Sequence, residues 1–117
     1  MPYASLDSSA ITSFSIFDNL TDSGELRPLT SSNDKARTAK LVRFLSEHNR
    51  DWWAPITGVP VGRLRAVLYA GDDRSAAFSI GPGFIEGQGC GYFFIKNLSK
   101  AEMTQLSEIL KQDLKFD

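Results

Sequence analysis

The sequence predicts an α+β fold of order β-α-β-β-β-α, a two-layer sandwich with a mainly antiparallel four-stranded sheet and two helices on one face. Three observations carry it. The chain closes with a capped amphipathic helix starting at Ser99, a second apolar stripe at helical spacing runs from Thr38 to Leu45, and two period-two segments flank Gly71-Asp72-Asp73-Arg74. A sheet and two helices with one apolar side each bury those sides most economically against one another.

Taken in order, residues 1–10 are small and polar and read as a flexible N-terminal end. Ala10 to Phe17 alternates. Thr12, Phe14 and Ile16 fall on one side, and Ile11, Ser13, Ser15 and Phe17 on the other, so both faces of this strand are partly apolar. Residues 18–33 form a long polar connection broken by Gly24 and Pro28, which Leu26 and Leu29 would pin to the core. Ser31, Ser32 or Asn33 would cap the first helix, with Ser31 and Asp34 forming a variant capping box. Thr38, Leu41, Val42 and Leu45, with Phe44 beside them, make its buried stripe. The helix should fray near Asn49.

Pro55, Gly58, Pro60 and Gly62 keep residues 54–62 irregular. Arg63 to Ala70 is a strand with Leu64, Ala66 and Leu68 on one side and Arg63, Arg65, Val67 and Tyr69 on the other. It turns through Gly71–Arg74 into Ser75–Ile80, with Ala76, Phe78 and Ile80 facing one way. The glycine-rich segment 81–91 reads as a loop or an irregular hairpin connection. Gly91 to Lys96 is the last strand. Its Tyr92-Phe93-Phe94-Ile95 run implies cover on both faces or an apolar face awaiting a partner, and a second copy pairing across a two-fold axis (a homodimer) is one such partner. In the final helix Ser99-x-x-Glu102 is a capping box and Leu98 with Met103 a hydrophobic staple. Met103, Leu106, Ile109, Leu110 and Leu114 form its buried stripe.

The 117 residues suit a single domain, 1–117. Net charge is −1, which provides no overall field toward nucleic acid or a membrane. The charge is uneven: −3 over residues 1–32, +4 over 33–65 and −2 over 66–117. No apolar run approaches the ~18 residues of a membrane span. Cys90 is the one cysteine, so no internal disulfide forms. The N-terminal residues lack a signal-peptide pattern, so the chain as given reads as cytoplasmic, although an exported mature domain would look the same.

Reactive chemistry is sparse. A Cys–His pair would have to use His48 and Cys90, a helix-terminal ring and a small thiol in a glycine-rich segment. Asp72, Asp73 and Glu86 are the nearest approach to a carboxylate cluster, and Asp after Gly is ordinary turn chemistry. Gly81-Pro82-Gly83 precedes a strand, not the helix a phosphate loop requires. Asn19-Leu20-Thr21 and Asn97-Leu98-Ser99 match the glycosylation pattern, but Ser99 is already committed as a cap. No catalytic residue, metal ligand, cofactor or nucleic-acid partner is expected.

What remains is a surface. Trp52-Trp53 lies beside Pro55, and Trp, Tyr and Arg are the types that anchor protein interfaces. The expected interface comprises Trp53, Arg63, Arg65 and Tyr69, with Asp72 and Asp73 as a charged loop tip. The expected function is a non-catalytic protein-binding domain acting by surface occlusion. The alternative is a small-ligand or sensory domain with a pocket between sheet and helices, bordered by the 18–33 and 81–91 loops. In layout, and in its low density of reactive side chains, the chain is similar in kind to small bacterial immunity, inhibitor and accessory-subunit domains. No motif carries that likeness, so it transfers no site.

Overall fold

The computed structural model describes residues 10–18, 28–55, 62–89 and 92–114. The N-terminal end over 1–9, the Asn19 pattern, Leu26 and Cys90 lie outside them. The elements are β1 (Ser13–Asp18), β2 (Thr30–Ser32), α1 (Lys35–Glu47), β3 (Leu64–Ala70), β4 (Asp73–Gly81), β5 (Phe84–Gly89), β6 (Tyr92–Asn97) and α2 (Lys100–Leu110). They build an α+β fold with a single antiparallel sheet in the order β2-β1-β3-β4-β5-β6.

The sheet therefore has six strands where the sequence led us to expect four. Thr30–Ser32 lies in the segment read as loop and pairs with Phe14–Ile16, where the Ser15 and Ser31 hydroxyls share a hydrogen bond at 2.8 Å. Phe84–Gly89 lies in the glycine-rich segment. It is set up by the turn at Pro82-Gly83, where Gly83 has φ +74°, a left-handed conformation glycine adopts without a Cβ penalty. The Phe84 ring packs directly on Gly81, leaving no room there for a Cβ.

Alternation sorts the strands as expected. Phe14, Ile16, Leu64, Ala66, Leu68, Phe78, Ile80 and Ile85 join Thr38-side residues of α1 and Leu106, Ile109, Leu110 and Leu114 of the C-terminal segment in one buried core. Both helices thus cover the same sheet face, and we call the opposite one the second face. A bulge between Leu68 and Tyr69 absorbs Ser75, so that Ala76, Phe78 and Ile80 still face the core. The β3–β4 turn is the two residues Gly71-Asp72, and Asp73 and Arg74 already belong to β4.

The cap of α1 is Asp34, not Ser31, Ser32 or Asn33. Its carboxylate accepts from the Ala36 and Arg37 backbone N–H groups, while Ser31 is held in β2. Leu29 is 54% exposed and does not pin the connection to the core. At α2 the expected reciprocal bonds are present: Ser99 Oγ accepts from Glu102 N and Glu102 Oε1 from Ser99 N.

The two helices are tied at both ends. Arg37, near the start of α1, donates from Nε to the Ile109 carbonyl at 3.1 Å and from Nη2 to the Leu110 carbonyl at 3.0 Å. It thereby satisfies acceptors that the end of α2 leaves over, beside the ring of Phe14. At the other end His48 Nε2 meets Glu102 Oε2 at 2.6 Å, and the His48 ring stacks on Phe44.

Candidate functional site

The second face is read from the register. Residues directly opposite one another on paired strands point the same way. Phe17 pairs with Arg65, Arg65 with Ser79, Ser79 with Glu86, Glu86 with Ile95, and Ile95 with Trp53. These six side chains form a transverse row across the second face, from β1 to a short bridge outside β6. Trp53 and Ile95 make that bridge with reciprocal backbone bonds of 2.9 and 2.8 Å, which occupy part of the outer edge of β6.

The bridge also resolves the Trp52-Trp53 pair. In extended backbone successive residues point to opposite faces. Trp52 turns into the helix-side core, and its indole N–H donates to the His48 carbonyl at 2.6 Å. Trp53 turns to the second face and remains 45% exposed. The rings are split between the two faces.

Phe93 stands two residues before Ile95 on β6 and is 46% exposed on the same face. Between these aromatics and Arg65 the sheet is interrupted. Strands β4 and β5 pair only from Ser79–Glu86 to Gly81–Phe84. Beyond Ser79 and Glu86 the ladder stops, and a cleft of about 370 Å³ lies between the strands. Its lining includes Arg65, Ala77, Ser79, Glu86, Gln88 and Phe93.

Glu86 is the electrostatically unusual member of this group. Its Oε2 is buried and has no hydrogen-bond partner. Burial pushes the carboxyl above its ordinary pKa, because desolvation disfavours the charged form. Arg65 is half-buried and has a contact of its own.

The structure brings some of the expected interface residues together and separates others. Arg65 and Trp53 share the transverse row, about 19 Å apart at four inter-strand steps. Tyr69 is half-buried on the same face but four residues along β3, toward the turn that carries the exposed Asp72 and Asp73. Arg63 is exposed beyond the other end of β3, with its backbone N–H on the Ile80 carbonyl. Of the six expected residues only Arg65 borders the cleft. Glu86, Gln88 and Phe93 border it too, and none of them was among the residues chosen from the sequence. For Phe93 the signal was present in the run of four bulky residues, and for Glu86 it was absent.

Comparison with known proteins returns no family model, no curated protein and no solved structure that matches the chain.

The remaining chemistry is meagre. No group of three or more His, Cys, Asp or Glu side chains suited to a metal ion occurs among the described residues. Glu86 is six residues along β4 from Asp73 by way of Ser79, so the three carboxylates do not converge. No helix among the described residues is long and apolar enough to cross a membrane. The core fills the middle of the space between sheet and helices, and a cavity of about 620 Å³ opens at its edge, between Pro82-Gly83 and the α2 residues Met103, Thr104 and Ser107, on the side where the 81–91 loop was expected to border a ligand pocket; the cleft beside Glu86 opens on the opposite face. Small-molecule sites are mostly apolar with few polar groups. The cleft beside Glu86 has four polar side chains in its lining.

Proposed function

We propose that the chain is a single, non-catalytic protein-binding domain acting in the cytoplasm by surface occlusion, as an inhibitor, immunity-like or accessory-subunit protein does. Its contact surface is the second face of the sheet on the β5–β6 side. The observation that carries this reading is the pair Trp53 and Phe93. Both are nearly half exposed on one sheet face, at either side of the buried Ile95. Large aromatics in such positions are the commonest anchors of protein interfaces, and clustered exposed apolar surface is unusual on a monomer. Arg65 and Gln88 supply polar contacts at the margin of the same surface. Tyr69, with Asp72 and Asp73 at the turn, extends it toward the far end of β3.

The test is a photocrosslink placed on the surface. Benzoylphenylalanine in place of Phe93 should capture one protein from the native host, identified by mass spectrometry. The same group in place of exposed Lys40 on α1 should not capture it. With that partner purified, Trp53→Ala and Phe93→Ala should each weaken binding about tenfold, the ~1.4 kcal/mol of a modest anchor. Equal capture from both positions, or unchanged affinity in both variants, sinks the reading.

A further inference from the structure

We infer that the cleft between β4 and β5 receives a cationic side chain, lysine or arginine, presented by the partner protein, with the Glu86 carboxylate as its acceptor and the Phe93 ring as its platform. The inference rests on the protein-binding reading and adds the chemistry of the guest.

The argument starts from Glu86 Oε2. A buried carboxylate oxygen without a donor carries its desolvation penalty uncompensated. Any guest that brings N–H groups into the cleft removes that penalty, and a charged donor removes most. No donor within the described chain does so. The Ser79 strand separates Arg65 from Glu86, about 10 Å between backbones at two inter-strand steps. Arg65 moreover has a contact of its own, whereas Oε2 has none. The unmet hydrogen-bonding capacity of the cleft is therefore that of an acceptor, Glu86 Oε2.

The ring supplies the second half. Phe93 is diagonal to Glu86 across β5 and β6, a spacing that aromatic side chains can span. Both residues line the cleft. An ammonium or guanidinium lying against an aromatic face gains a cation–π attraction in addition to its salt bridge. Gln88, beside Phe93 in the register, offers an amide carbonyl to a further N–H. The raised pKa of Glu86 agrees with this arrangement, because entry of a cation would reverse its cause.

The experiment titrates the 15N-labelled full chain with N-acetyl-lysine methylamide and N-acetyl-arginine methylamide, following amide shifts at Ser79, Glu86, Gly87 and Gln88. The norleucine and glutamate analogues serve as apolar and anionic controls. We expect saturable shifts with the two cations only, strengthening as pH rises through the raised value of Glu86 and the carboxyl ionises. Glu86→Gln should weaken both cations at least tenfold. Phe93→Leu, at an exposed position where folding is not at stake, should weaken them severalfold. Preferential binding of the glutamate or norleucine analogue overturns the proposal, as does a cation affinity indifferent to Glu86→Gln. So does the absence of shifts in the cleft. If crosslinking finds a partner at Phe93 but these cations do not bind, the protein-binding reading stands and this inference fails. If the cations bind as described while Trp53→Ala and Phe93→Ala leave the captured partner's affinity unchanged, the failure lies in the broader reading.

Discussion

On the helix-covered face of the sheet, polar groups find their partners within the chain. Arg37 serves two carbonyls at the end of α2, Ser99 and Glu102 cap its beginning, and the Trp52 indole donates to His48. One buried acceptor there, Asn49 Oδ1, lacks a partner, but it borders none of the cleft described above. On the second face Phe17, Val67 and Ile95 are buried, yet Trp53 and Phe93 are half open and Glu86 is unsatisfied within a cleft. The difference teaches where to seek function. The first face is completed by its own helices, whereas the β5–β6 side of the second has the residue types and the unmet hydrogen-bonding capacity that a second molecule could complete.

The comparison breaks most directly in the core. Phe44→Ala or Leu106→Ala removes a fully buried side chain from under the helices and should cost about 3–4 kcal/mol. Phe93→Ala removes a large ring from the second face and should cost less than about 1 kcal/mol, since much of that ring is already in water. Urea denaturation of the three variants gives the result. Similar losses for Phe93 and Leu106 would mean that the second face is structural core.

Arg37 tests the helix layer next. Arg37→Met keeps the stem but leaves the Ile109 and Leu110 carbonyls without their guanidinium, and should cost about 2 kcal/mol. Arg37→Lys should recover less than half of that, because one ammonium cannot reproduce the planar fork. Full recovery by lysine would show that charge near the end of α2, not the paired bonds, is what matters.

How legible each face was follows from how local its causes are. Leu114 is buried but lies past the end of the helix, whereas the α2 cap and the buried Leu106, Ile109 and Leu110 lie within twelve residues and were read correctly. So were the inward residues of β1, β3 and β4, because period two survives any strand order. The α1 cap shifted to Asp34 because pairing with β1 draws Ser31 into β2, a cause sixteen residues away. The glycines of β5 suggested a loop or an irregular hairpin connection, and only its pairing with β4 and β6 makes it a strand. The cleft was illegible for the same reason. It exists because the β4–β5 ladder ends at Ser79–Glu86, and nothing in either segment alone specifies where pairing stops. Of the residues that line the cleft only Arg65 was chosen in advance, from residue type, and the Tyr92–Ile95 run carried the signal for Phe93.

The capping box of α2 offers a smaller effect with a pH signature. Ser99→Ala should cost about 1 kcal/mol. The backbone bond from Ser99, and secondarily the Ser99 hydroxyl and His48, hold the Glu102 carboxyl below its ordinary pKa of 4.5. A depressed carboxyl contributes stability that is complete above its unfolded value and is lost as pH falls through the lower, folded one. Stability should therefore decline below about pH 4.5 in the native chain, and Glu102→Gln should flatten that part of the curve. An unchanged acid limb in Glu102→Gln would assign the decline to other carboxylates.

Glu86 has the opposite sign, and its expected effect is the smallest. Its pKa is raised by burial, so the folded chain holds this proton more tightly than the unfolded one. Its contribution therefore favours the fold at low pH and is lost as pH rises from 4.5 through the raised value. At neutral pH the charged carboxylate is a net cost that the native sequence retains. Glu86→Gln should accordingly stabilise the isolated protein, by no more than about 1 kcal/mol near pH 7, with the gain disappearing in acid. The same change should weaken binding of cationic guests. Stability gained and binding lost at one residue is the pattern of a site kept for a partner, where an unsatisfied group waits for its complement. If Glu86→Gln instead destabilises the isolated chain at neutral pH, the carboxylate already has a structural partner and the second face is more self-sufficient than its geometry implies.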